Sequence, residues 1–111
     1  MVTSINHCIL LGEIGRQGVT ISHATSGAAC ASFLLVLYEE GQDGRMYPTI
    51  VPVEIWGKKA EQASELDAGQ LVVVDGRLRK RKKAEGWELI VAGFEVKPLG
   101  LAQASPVWTP P

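Results

Sequence analysis

Two cysteines in 111 residues, with no CxxC spacing, leave little room for disulfide chemistry. Cys8 and Cys30 each sit in an apolar run, which excludes a secreted disulfide framework and makes both reduced core residues in expectation. Histidine is as scarce. His7 and His23 have no His or Cys partner at metal-ligand spacing, so no metal site is expected. No apolar run approaches the roughly 20 residues of a membrane span. Asn6 and His7 interrupt the N-terminus before any signal-like stretch, so the expected setting is the cytoplasm. Catalytic patterns are missing too. Gly57-Lys58 looks like the end of a P-loop, but Pro52 stands where the leading glycine belongs and no Ser or Thr follows the lysine. Glu61 and Glu65 fit a solvated helix face, and Ser22-His23 is mere adjacency. Neither an enzyme nor a cofactor is expected.

What the chain does have is charge of one sign in one place. The formal net charge is −1, yet six of the eleven basic residues fall between positions 77 and 83. Local field, rather than net charge, decides what binds. Residues 70–83, QLVVVDGRLRKRKK, begin as an apolar, mostly β-branched strand and end as Arg77, Arg79, Lys80, Arg81, Lys82 and Lys83. At strand period two, Val72, Val74 and Leu78 share one side while Arg77, Arg79 and Arg81 line the other. Guanidiniums at that spacing suit a row of phosphates. A solvated edge strand whose charges oppose aggregation is the alternative.

The rest of the chain reads as strands around one helix. Residues 5–14 form a first strand, with Gly12 marking a bend where one strand can serve two sides of a barrel. Residues 19–23 continue that strand system. Residues 28–38 form the second strand, apolar on both faces, so that its outer face is expected to meet another subunit or layer. Residues 39–48 read as a polar, mobile loop. In the third strand, residues 49–56, Val51, Val53 and Ile55 face inward and Ile50, Pro52, Glu54 and Trp56 outward. Pro52 marks an edge or a bulge. Residues 58–66 form a short helix with Ala60, Ala63 and Leu66 on one stripe, capped near Gly69. The basic strand then turns at Glu85-Gly86 into a fifth strand, residues 87–96. Alternation puts Phe33 and Phe94 in the core. Five strands with one short helix between the third and fourth describe an all-β OB-fold, a five-stranded Greek-key barrel, over residues 1–100. Residues 101–111 read as a short flexible tail in which Trp108 is uncommitted.

At this point the motifs resemble the bacterial single-stranded DNA-binding proteins. The start NHCILLGEIG, the second strand SGAACASFLLVL, the helix segment EIWGKKAEQASEL, the strand VVVDGRLRKR and the close VAGFEVKPLG follow that family's pattern in order. The resemblance implies an OB-fold that binds single-stranded DNA without sequence preference, in replication, recombination or repair, beside the nucleoid. It also implies a homo-oligomer, a tetramer in preference to a dimer. Carried over residue by residue, Trp56 falls on a base-stacking position, Arg77, Arg79 and Arg81 beside the binding hairpin, and Trp87 near a returning-strand aromatic. Trp56 as an interface or core residue, and Trp87 packed on its own strands, are the alternatives.

Three departures qualify this. Ile50 stands where many members carry tryptophan, as do Gly41 and Lys83. Glu54 projects beside Trp56, where a negative charge opposes DNA. SPVWTPP has no acid, so replication or repair proteins are not expected to be recruited through an acidic tip. The pattern also resembles the primosomal OB-fold relative, usually a dimer, and leaves open an OB-fold adaptor whose main partner is a protein.

Overall fold

Barrel closure turns on Gly12. In the computed structural model, which describes residues 3–101, β1 (Cys8–Ile14) pairs antiparallel with β5 (Gln70–Lys82) from Cys8 to Glu13. Its last residues then pair with β3 (Ala29–Glu40) through Glu13–Val36 and Ile14–Leu35. One strand thus serves two sheet edges, and the crossing is tight. A Cβ added at Gly12 would stand 2.6 Å from the Val36 carbonyl oxygen, so only glycine fits without a shift.

The remaining strands complete the ring. β4 (Met46–Trp56) runs antiparallel to β3 and parallel to β6 (Trp87–Leu101), which returns antiparallel along β5. The order β1-β5-β6-β4-β3, closed by the β1–β3 pairs, is a five-stranded OB-fold barrel, and β2 (Thr20–His23) adds a short ribbon on β3. Closure removes most of the unpaired edges an open sheet would present. No helix among the described residues is long and apolar enough to cross a membrane.

Alternation fills the barrel. Phe33 and Leu35 of β3, Val53 of β4, Val72 and Val74 of β5 and Val91 of β6 meet Ile14 in one cluster. Ala60 and Ala63 of α1 (Lys58–Ala63) cover Ala29, Ala31 and Ile55 at one end. At six residues α1 is too short to hold alone, and its small buried face lets it seat closely on the barrel.

Four local expectations change. The helix ends at Ala63 rather than at residue 66, although Leu66 still packs on both clusters. The segment expected as a mobile loop is mostly ladder: Tyr38–Pro48, Glu39–Tyr47 and Glu40–Met46 pair, and Gly41 N–H donates to Arg45 O at 2.7 Å. Polar composition marked solvent exposure there, not loss of pairing. β6 also runs past Pro98 to Leu101, because Pro98 still finds a place opposite Val72.

The fourth change is Phe94, expected in the core and found 55% exposed. Asp75 pairs with Glu95 and Gly76 with Gly93, which leaves Phe94 as an extra residue in β6. A bulge breaks the period of two that the expectation relied on. Trp108 lies outside the described residues.

Candidate nucleic-acid interface

The basic strand and its return form a hairpin continuing beyond the barrel. β5 and β6 keep register without interruption from Gly76–Gly93 to Lys82–Trp87, so side chains alternate between two faces. One face carries Arg77, Arg79 and Arg81 with Glu88, Ile90 and Ala92. The other carries Leu78, Lys80 and Lys82 with Trp87 and Leu89. The root of the hairpin is pinned from outside β1: the Asn6 side chain donates to Leu78 O and accepts from Leu78 N–H, both at 2.8 Å.

β4 extends the arginine face. Its parallel pair Glu54–Ala92 places the outward residues Ile50, Pro52, Glu54 and Trp56 on the same side as Ala92 and Ile90. Glu54 is the centre, its side chain 12% exposed. It accepts from Arg79 Nη2 at 2.8 Å and from Arg81 Nη1 at 2.5 Å. Arg81 also donates from Nε to Glu88 at 3.0 Å and from Nη2 to the same carboxylate, while Lys83 Nζ lies 3.8 Å from Glu88. These bonds hold the Glu88 carboxyl below its ordinary range, Arg81 being the main cause, and raise Arg81 in turn through Glu88 and then Glu54. Ile90, opposite Arg79, is fully buried on this outward side.

The expected row of three guanidiniums is therefore divided. Arg79 and Arg81, with Lys83 at the edge, belong to a cluster in which the carboxylates of Glu54 and Glu88 offset most of the positive charge. Arg77 is exposed and makes no ion pair among the described residues. Lys82 is likewise exposed without an ion pair. Lys80 Nζ stands 4.7 Å from the Trp87 ring centroid, a cation–π contact on the second face. Each arginine keeps over a third of its side chain in water and can turn toward a phosphate, but doing so leaves the nearly buried Glu54 carboxylate less compensated, which sets a cost on the exchange.

Neither Trp56 nor Trp87 is sealed in. Trp56 is 46% exposed and ends β4 opposite Cys30 on the arginine side, with exposed Ile50 and Leu34 further along the same ladder. Trp87 is 58% exposed and lies on the opposite face of the hairpin. The structure thus brings Trp56, Arg77, Arg79 and Arg81 to one side and Lys80, Lys82 and Trp87 to the other. Sequence reasoning took Glu54 as a charge opposing DNA and missed that two arginines neutralise it. The signal was an acid at an outward position in a chain whose basic strand packs on the same sheet. A shallow depression beside this cluster is lined by Gln17, Thr20, Ser32, Leu34, Pro52 and Arg81.

An OB barrel with a cationic hairpin and exposed indoles on its wall belongs to the class of folds that hold extended polymers across a sheet. Residues 5–88 match the model of the Single-strand binding protein family, and the chain belongs to that family. It is 28% identical over 79 residues to a single-stranded DNA-binding protein of Clostridium tetani, a match covering 69% of this chain and 54% of that relative. The chain therefore spans about half the length of the curated relative it matches.

Proposed function

We propose that the chain binds single-stranded DNA without sequence preference and without catalysis, as part of a homo-oligomer, tetrameric in preference to dimeric. The observation that carries this is the shared wall of β4, β6 and β5, where half-exposed Trp56 stands beside the arginine face. Every base has a π-face, so an indole stacks on any of them, while the cations follow the backbone and release counterions. The second face of the hairpin, with Lys80, Lys82 and Trp87, takes the strand where it leaves the barrel. Ile9 and Leu11, exposed on β1, support self-association. Held this way, DNA stays unpaired and shielded during replication, recombination or repair.

Titrating oligo-dT against the intrinsic tryptophan fluorescence at two salt concentrations tests the reading. Quenching that needs more DNA at the higher salt is expected. Absence of quenching, or an affinity indifferent to salt, overturns it.

A further inference from the structure

β6 changes which of its sides faces the barrel part-way along. Before the change the odd positions face in: Val91 is 1% exposed within the main core cluster, and a Cβ at Gly93 would stand 2.7 Å from Ile55 Cγ1. After it an even position does, since Val96 packs against both clusters. Between Gly93 and Val96 the strand therefore turns two successive residues, Phe94 and Glu95, outward. The ladder says the same, for Glu95 pairs with the outward Asp75 while Phe94 has no partner on β5. Bulges re-aim side chains in this way beside functional sites.

The ring is re-aimed onto the wall already described. On one side, the parallel pairs Val53–Val91, Glu54–Ala92 and Ile55–Gly93 make Trp56 and Phe94 the next residues along their two strands. On the other side, Arg77 pairs with Ala92, two residues before Phe94, and is exposed without an ion pair among the described residues. Lys59 at the start of α1 approaches Glu95 at 3.7 Å, which leaves the neighbouring carboxylate compensated. A phenyl ring 55% exposed gives folding little, since most of its surface stays in water. By register, the strand on one side carries Trp56 one step past the last pair, and the strand on the other carries Arg77 two residues back, without an ion pair among the described residues.

We propose that Phe94 is a second base-stacking position, adjacent to Trp56, with Arg77 taking the backbone phosphate beside it. It supplies the aromatic surface that Ile50 does not. This rests on the single-stranded DNA reading above, and its failure can be told apart from the failure of that reading.

The test compares wild type, Phe94→Ala, Phe94→Leu and Phe94→Trp for oligo-dT binding, with solution mass and thermal melting measured on each. Stacking on one ring predicts an affinity loss of about 5- to 150-fold for Phe94→Ala at unchanged mass. Phe94→Leu keeps apolar bulk but has no π-face, and should lose nearly as much. Phe94→Trp should bind like wild type and add a quenched indole. If wild type binds and quenches while Phe94→Ala or Phe94→Leu binds equally well, this inference is overturned and the parent reading stands. A drop in mass in the alanine variant also overturns it, by making the ring a contact between copies of the chain. If wild type does not bind at all, both readings go together.

Discussion

A carboxylate two residues before an exposed tryptophan fits a polyanion badly unless something neutralises it. At Glu54 the neutralisation is internal, through Arg79 and Arg81. The arrangement holds two long, floppy side chains in one geometry, so less rotamer freedom remains to be lost when a strand arrives. It also removes two charges from the field that draws the strand in. Arg79 Nε is buried with no hydrogen-bond partner among the described residues, so the cluster is not fully satisfied. Glu54→Gln keeps the shape and removes the charge. It should strengthen binding and steepen its salt dependence, while lowering folding stability by about 1–3 kcal/mol through a weakened buried pair. Paired DNA titrations and urea denaturation measure the two effects. Weaker binding in this variant would show that Glu54 acts by orienting the arginines.

At the scale of elements, the seam between β1 and β3 closes the barrel, and it carries a titratable lock. The Tyr38 hydroxyl donates to Glu13 at 3.2 Å. Burial first, then the charge of Glu13 and this bond, push Tyr38 up to about 12. The sign follows from where the proton stays. Between the ordinary tyrosine value near 10 and about 12, the unfolded chain gives up this proton while the folded chain keeps it. Stability is therefore full below pH 10 and declines as pH rises toward 12, and Tyr38→Phe should flatten that decline in alkaline denaturation curves. Elements were also where sequence reading lost most detail. Strand identity and the inward faces of β3 and β4 follow from residues two apart, which a linear pattern displays. Phe94 does not, because a bulge is decided by how two strands meet. The pairing of Glu39 with Tyr47 does not either, since polar strands and polar loops look alike before they are paired.

For the whole molecule, a net charge of −1 conceals a hairpin whose six cations are unequal. Arg79, Arg81 and Lys83 have acidic partners at hand, whereas Arg77, Lys80 and Lys82 make no ion pair among the described residues. At about 0.7 per neutralised phosphate on a single strand, the latter three together contribute a salt slope of about −2. Replacing Arg77, Lys80 and Lys82 with Gln should flatten a plot of log affinity against log salt by roughly that amount. Replacing Arg79 and Arg81 should flatten it by less. A flattening of about 1.4, the full contribution of two cations, would mean that the internal ion pairs dissolve completely in the complex.

The linear sequence by itself determined the barrel, its plug and the charged arm, because alternation, glycine placement and a run of basic residues are local properties that survive without coordinates. It also carried the family, through motifs in order along the chain. Tertiary structure alone decided which side chains share a wall. Glu54 meets Arg79 and Arg81 across 25 and 27 residues, Trp56 parts from Trp87, and Phe94 turns outward, because facing is set by cross-strand register and bulges.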